Sequence, residues 1–437
     1  MRLAVVGLGK LGAPLAAVLA DAGHVVVGVD LNADAVDAIN AGVAPVPEPG
    51  LQDLIDRNRT RLRATVSIEE AVSQSEATFV IVPTPSGPDA TFVLDYVLEA
   101  VDNIGAALRG TEADHLVTIT STVMPGATNG PIRERLEAAS GRAVGGPLGL
   151  CYSPEFIALG SVIRDMTEPD LILVGESDPR AGNLLEEISR SAVHNSPPAQ
   201  HMTLVDAEIT KIAINTFVTT KISFANMLAE LCEALPGADV DAVTDAVGLD
   251  GRIGRKYLRG GAAYGGPCFP RDNRALSALA RSLGFDAAIA DATDAVNDHQ
   301  AVRLAQIVSA AAPTGRVAVL GMSYKPGTPV IDRSAGVDLA RELSAQGREV
   351  VVHDPMAIAG VDRFVPAEVE RTDDLGAALD GSAAVVITTP WPDYAGIGQI
   401  VKPGTTIVDL WGQCGPTAAD VVLVRPGRAA VEGSDDR

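Results

Sequence analysis

The residues best suited to covalent chemistry stand in the segment Gly265-Gly266-Pro267-Cys268-Phe269-Pro270-Arg271-Asp272, where a thiol and a carboxylate lie four residues apart. A glycine pair precedes them and a helical pattern follows. Proline is at home in the first turn of a helix, where a missing N–H costs nothing, so Pro270 marks a helix start. Cys268 then falls just ahead of the positive end of that helix, which favours a thiolate, a candidate nucleophile. Two plainer readings stay open. A lone cysteine is often a small buried hydrophobe, and Asp272 can do no more than complement the helix dipole.

A second constellation opens the chain. A short apolar run at residues 3–6 enters Gly7-Leu8-Gly9-Lys10-Leu11-Gly12, a helical pattern continues to about Ala22, and a second run at 25–29 ends at Asp30. Glycines at this spacing permit a tight turn and close approach of a pyrophosphate to the helix N-terminus. Asp30 follows Gly7 by 23 residues, where a carboxylate binds a ribose 2′-hydroxyl. Leu31 and Asn32 follow it rather than an arginine, so NAD is favoured over NADP.

The elements that must position these groups alternate along the chain. Apolar runs at 78–82, 116–120 and 171–174 are separated by helical stretches, as in a parallel sheet with crossover helices. Pro83-Thr84-Pro85 and Ser121-Thr122-Val123-Met124-Pro125-Gly126 stand at the ends of two of them. Ligands of open α/β sheets gather there, which makes Thr84 and Thr122 candidate site residues, with ordinary turn chemistry as the alternative. From about Asp206 to Leu235 the pattern is one long helix on which Lys211 and Asn215 share a face. Another helical stretch follows Pro270, breaks near Gly284 and ends near Ala312. The third part of the chain echoes the first: RVAVLG at 316–321 resembles RLAVVG at 2–7, and Asp354 falls where Asp30 does. Its loop reads MSYKPGTPVIDRS instead of the glycine fingerprint, so a second doubly wound domain with a modified loop is expected. The tail from Gly427 is polar and expected to fray.

Composition narrows the partners. The 437 residues suggest two or three domains, and 47% hydrophobic with 21% charged residues is a globular composition. Cys151, Cys232, Cys268 and Cys414 lie far apart, which argues against a disulfide framework or a metal site and for a reducing cytoplasm. The apolar run near the start is too short for a signal peptide, and no run approaches a membrane span. A net charge of −22 argues against nucleic acid. Against that background Arg252, Arg255, Lys256 and Arg259 form a basic cluster that suits an anionic small molecule or, equally, a solvated face.

These motifs resemble those of the UDP-glucose/GDP-mannose dehydrogenase family, nearly end to end. The matching positions are Gly7/Gly9/Gly12, Pro83-Thr84-Pro85, Ser121-Thr122-Val123, Ser153-Pro154-Glu155-Phe156, Lys211 with Asn215, Gly265-Gly266 with Cys268 and Asp272, and Tyr324-Lys325-Pro326. The resemblance implies an α/β fold of two Rossmann-like doubly wound domains joined by a long central helical region. Residues 1–200 would bind NAD, 201–312 would form a helical dimerisation domain, and 313–437 would hold the nucleotide sugar. The implied reaction is NAD-dependent four-electron oxidation of a sugar C6 alcohol to a carboxylate. Cys268 would trap the aldehyde as a thiohemiacetal and pass through a thioester, Lys211 and Asn215 would stabilise the oxyanion, and Glu155 would be general base and acid with Thr122 and a water. Asp272 would position water.

Beside Gly7, Gly9, Lys10, Leu11, Gly12 and Asp30, the implied cofactor contacts are Pro83, Thr84, Thr122 and Arg333. Substrate contacts are implied at Glu155, Phe156, Ile157, Lys211, Asn215, Tyr257, Arg259, Gly265, Tyr324 and Lys325, with Arg252 reaching across a dimer. Three departures bear on the substrate. Leu159 stands where glucose and mannose members carry a second glutamate, which brings the chain closer to relatives acting on N-acetylhexosamine nucleotides. Arg333 comes one place later than the family's arginine, and Trp411 stands near a common basic position, suited to stacking or to core packing. A UDP-linked hexose or N-acetylhexosamine is expected over a GDP-linked one, in a cytoplasmic homodimer or larger assembly. The alternatives are an idle NAD or nucleotide-sugar sensor and a single-step hydroxyacid dehydrogenase. The latter has no use for a nucleophilic cysteine or a second doubly wound unit.

Overall fold

The computed structural model describes residues 1–429 and divides into two compact units, Met1–Ala213 and Ile214–Arg437. The first unit holds β1 (Arg2–Val6), β2 (Val25–Val29), β3 (Leu62–Thr65), β4 (Ala77–Val80), β5 (His115–Ile119), β6 (Leu148–Tyr152), β7 (Ile172–Glu176) and β8 (Ala199–Thr203). They form one sheet in the order β3-β2-β1-β4-β5-β6-β7-β8. The first six strands are parallel in the doubly wound dinucleotide-binding order. Successive β1 residues feed opposite faces: Leu3 and Val5 join one apolar cluster, Ala4 and Val6 the other. A strand covered on both faces reads as a continuous apolar run, which is why it is visible in the sequence.

One expectation needs correction. The strand at 171–174 does not extend the parallel set: β7 runs antiparallel to β6, and β8 runs parallel to β7. Hydrophobic patterning reports burial, not direction, so the reversal leaves no mark in composition.

The second unit repeats the plan with β9 (Arg316–Leu320), β10 (Val350–His353), β11 (Glu370–Thr372), β12 (Ser382–Ile387), β13 (Thr406–Asp409) and β14 (Val422–Val424). Their order is β11-β10-β9-β12-β13-β14, wholly parallel. Val317 and Val319 face one cluster, Ala318 and Leu320 the other.

Helices Leu204–Glu233, Phe269–Ser282 and Ala288–Ala311 bear out the two helical stretches read from the sequence, the second broken near Gly284. The expected fraying from Gly427 is wrong for residues 427–429. The Gly427 N–H donates to Glu233 Oε1 at 2.6 Å, and Gly427 O accepts from Val240 N at 2.9 Å. Glu233 also receives the buried Arg303 guanidinium, and Arg428 pairs with Asp239 and Asp241. The remainder of that tail lies outside the described residues. Among the described residues, no helix is long and apolar enough to cross a membrane.

Candidate active site

The glycine loop of the first unit divides its labour. Gly7 has φ +101°, and a Cβ there would meet Ile81 O at 2.4 Å; a Cβ on Gly12 would meet Gly7 O at 1.8 Å. These two glycines are demanded by the protein itself. Gly9 is different: a Cβ there would find no described atom within 4 Å. The space in front of Gly9, at the start of helix Gly12–Asp21, is what a pyrophosphate requires. Asp30 Oδ2 accepts from Leu8 N at 2.7 Å and Oδ1 from Asn32 N at 2.8 Å, which fixes the carboxylate at the mouth of the loop. Lys10 is exposed and Leu11 half-buried beside it. The donor set fits a dinucleotide.

Two loop residues singled out in the sequence meet at the ends of β4 and β5. Thr84 Oγ1 donates to Thr122 O at 2.7 Å, and Ser121 Oγ donates to Val82 O at 2.7 Å. Pro83 beside them is exposed. The loop is held from a third side by Glu208, a residue the sequence reading missed. Its carboxylate is fully buried and accepts from Gly126 N at 2.6 Å and Thr128 N at 2.7 Å. Burial pushes that carboxyl above the usual range. A hint was present: Glu208 is three residues before Lys211, a spacing that stacks side chains along one helix.

Lys211 is itself buried and reaches the segment after β6. Its Nζ donates to Glu155 O at 2.7 Å and sits 4.7 Å from the centre of the Phe156 ring. Burial pushes the Glu155 carboxyl up to about 7, with the Lys211 ammonium pulling the other way. A carboxyl poised there can take and return a proton near neutral pH. Ile157 and Leu159 pack instead against the apolar cluster beneath β1, and Phe156 against the cluster on the opposite face.

In the second unit, Cys268 is exposed and occupies the N-cap of helix Phe269–Ser282, with Pro270 in the first turn as its spacing implied. Asp272, almost wholly buried, accepts a 2.6 Å bond from Asn215 Nδ2 and lies 3.5 Å from Arg271 Nε. The Asp272 N–H closes the first turn onto Cys268 O at 2.9 Å. Thiol, carboxylate and amide are thus gathered at one helix end.

The glycine pair ahead of the thiol is explained by what backs it. A Cβ on Gly265 would lie 2.1 Å from Arg333 O; Gly266 has φ +86° and its Cβ would lie 2.7 Å from the Tyr324 ring. Gly266 N donates to Asp332 O at 2.8 Å. Arg333 itself has φ +50° and turns its guanidinium to Asp298. Lys325 lies beside Tyr324, its Nζ 5.9 Å from the ring centre. Burial first, then the Cys268 sulfur, push the Tyr324 hydroxyl up to about 12.

The basic cluster does not act as one patch. Arg252, with 89% of its side chain exposed, forks onto Asp250 at 2.9 and 2.6 Å, and Arg255 pairs with Asp245. Arg259 lies over the Trp411 ring, 5.2 Å from its centre, and donates to Trp411 O at 2.7 Å. Trp411 Nε1 donates to Thr388 O at 2.8 Å, so the indole is half packed and half stacked. Tyr257, at φ +63°, is exposed.

A glycine-loop dinucleotide fold, a carboxyl poised near neutrality and a thiol at a helix start define an oxidoreductase of the doubly wound class. The comparisons with known proteins narrow the class. Residues 1–193 match the NAD binding domain of the UDP-glucose/GDP-mannose dehydrogenase family, 205–299 its central domain and 318–416 its UDP binding domain. The chain belongs to this family of NAD-dependent oxidoreductases. It is 37% identical to the UDP-glucose 6-dehydrogenase AglM of Haloferax volcanii over 402 residues, 91% of this chain and 93% of that one. The structure of a UDP-glucose dehydrogenase from Pyrobaculum islandicum superposes with a TM-score of 0.88 at 36% identity, covering 98% of both chains. That of a UDP-D-ManNAc dehydrogenase from Pyrococcus horikoshii gives 0.82 at 25% identity, covering 98% of this chain and 99% of that one.

Proposed function

We propose that this protein oxidises the C6 hydroxymethyl of a nucleotide-diphosphate sugar to a carboxylate, NAD-dependently and in two successive two-electron steps, with Cys268 as the covalent catalyst. The observation that carries the reading is the Asn215–Asp272 hydrogen bond of 2.6 Å at the turn capped by Cys268. It groups a nucleophile, an oxyanion donor and a carboxylate at one place.

NAD, when bound at Gly7, Gly9, Gly12 and Asp30 with Thr84 and Thr122 nearby, takes up the two electrons of each step. The chain's own residues do the rest. Glu155 removes the proton of the C6 hydroxyl in the first oxidation and returns or removes protons afterwards. The Cys268 sulfur adds to the aldehyde carbon, forming a thiohemiacetal whose oxyanion Lys211 and Asn215 stabilise. Loss of two electrons and a proton leaves a thioester. Water, positioned by Asp272, adds to it; carboxylate leaves and the thiolate is restored. Once the sulfur has added, the carbon stays bonded to it until the carboxylate leaves.

Substrate choice is read from Leu159 and the cations. The substrate is a UDP-hexose or UDP-N-acetylhexosamine, the leucine in place of a second glutamate favouring the N-acetylhexosamine, with Arg252, Arg259, Tyr257, Tyr324 and Lys325 holding the diphosphate and sugar. We infer functional domains at residues 1–200, 201–312 and 313–437, the central one pairing two copies through the exposed Phe217, Phe224, Met227 and Leu231 of the long helix. The test is NADH formed per sugar consumed with UDP-glucose, UDP-GlcNAc, UDP-ManNAc and GDP-mannose. Two equivalents with one of the UDP sugars is the expected result; one equivalent would overturn the covalent route. Cys268→Ser should stop short of the carboxylate.

A further inference from the structure

We propose that Asn297 and Asp294, on helix Ala288–Ala311, are positioning residues that hold the Cys268 loop in place for the second oxidation, acting through Tyr264. The proposal rests on the role assigned to Cys268 above.

Residues 260–267 form neither helix nor strand, yet their backbone is gripped at successive points. Asn226 Oδ1 accepts from Gly261 N at 2.8 Å while its Nδ2 donates to Ala262 O at 3.0 Å. Asn297 grips Tyr264 the same way: Oδ1 accepts the N–H at 2.8 Å and Nδ2 donates to the C=O at 3.1 Å. Only a side-chain amide offers both an acceptor and donors at that reach; an aspartate keeps the acceptor and a leucine keeps neither. Both asparagines are buried, so losing either leaves peptide groups unsatisfied.

The Tyr264 side chain is fixed as firmly as its backbone. Its hydroxyl donates to Asp294 Oδ1 at 2.5 Å and accepts from Asn273 Nδ2 at 2.9 Å. Asn273 Nδ2 also reaches Asp294 Oδ1 at 3.0 Å, and Asn273 Oδ1 accepts from Thr219 Oγ1 at 3.0 Å. Burial and the Asp294 carboxylate push the Tyr264 hydroxyl well above its ordinary range, so it remains a donor. Asn273 follows Asp272 directly, and Thr219 is one turn beyond Asn215. One network therefore ties the loop before the thiol to the two helices that carry its partners. Deleting a hold loosens the three residues between Tyr264 and Cys268, and a displacement of about 1 Å costs on the order of a hundredfold in a positioned reaction.

The first oxidation forms no bond to sulfur, whereas the second does. Loosening the loop should therefore let aldehyde escape, a signature that general loss of structure does not give. The experiment uses the full chain with Asn297→Leu, Asn297→Asp, Asp294→Asn and Tyr264→Phe. It reads NADH per sugar consumed, aldehyde captured by semicarbazide, the rate of Cys268 alkylation by iodoacetamide, KM, and the melting temperature. The wild type is expected to yield two NADH. Asn297→Leu should fall toward one, with captured aldehyde, an alkylation rate altered about tenfold and KM within about twofold. Asn297→Asp, retaining the acceptor, should lie between. Should Asn297→Leu fail to fold, Tyr264→Phe carries the same readouts. Two NADH and unchanged turnover in a folded Asn297→Leu would overturn the positioning role alone, as would an equal loss of both oxidations without free aldehyde. One NADH from the wild type would instead overturn the Cys268 reading on which the proposal stands.

Discussion

In the first doubly wound unit, Gly7 and Gly12 are five positions apart; in the second, Gly321 and Gly336 play the same two parts fifteen positions apart. The correspondence is geometric. Gly7 and Gly321 have φ of +101° and +109°, and a Cβ on Gly12 or Gly336 would lie 1.8 or 2.0 Å from the carbonyl of its partner glycine. The turn and the helix contact are kept in both, but the second unit inserts a loop between them. That loop carries Tyr324, Lys325, Asp332 and Arg333, and it backs the glycines ahead of Cys268. The carboxylates at the end of the second strand differ in the same sense. Asp30 is half-buried, with two main-chain donors. Asp354 is 1% exposed and closed in by the N–H groups of Met322, Ser323, Met356 and Ala357, the Ser323 hydroxyl and Trp391 Nε1. One scaffold thus serves twice: left open beside Asp30 in the first unit, filled by its own loop in the second.

The sharpest break of this comparison is Asp354→Asn against Asp30→Asn. The first turns an NH2 or a neutral oxygen toward donors in a buried site and should cost about 3 kcal/mol or more of stability, read by denaturant unfolding. The second should leave unfolding nearly unchanged and weaken NAD about tenfold, measured by calorimetry; equal stability losses would erase the distinction. Next come Gly12→Ala and Gly336→Ala, each expected to cost about 1–3 kcal/mol because a Cβ must displace backbone. Gly9→Ala should leave the melting temperature in place and affect NAD affinity alone.

A smaller effect concerns pH. With its carboxyl pushed up to about 7, Glu155 is a base only above that pH, so kcat should rise through neutrality. Glu155→Gln should remove that limb along with most activity. The smallest concerns His201, bracketed by Glu176 at 2.6 Å and Glu186 at 2.7 Å, bonds to which hold its proton on above the ordinary 6.5. A group with a raised folded pKa stabilises fully below its unfolded pKa and loses that contribution as pH rises through the folded one. Melting temperatures of wild type and His201→Gln should therefore converge above that value; divergence would reverse the sign.

Much of this was legible because it is local. The first glycine loop, the capping position of Cys268, and Lys211 with Asn215 on one helix all follow from short spacings. The third glycine of the second unit was not, since its loop separates it from Gly321 by a length no fingerprint anticipates. Nor were Glu208 and Asn297 recognised: their partners are peptide groups remote in sequence, 80 and 33 residues away. The pairing of Arg259 with Trp411 spans 152 residues. Charge counting grouped Arg252, Arg255 and Arg259, whereas the fold gives each a separate partner.

The contact of Gly427 with Glu233 bears on how this chain can be handled. Glu233 already faces the buried Arg303, and the Gly427 N–H completes its shell. A shortened version ending at Pro426 would remove that donor and the Arg428 bridge to Asp239 and Asp241 together. Gly427 and Arg428 thus latch onto the end of the long helix and the segment after it, and a purification handle or fusion partner belongs beyond them.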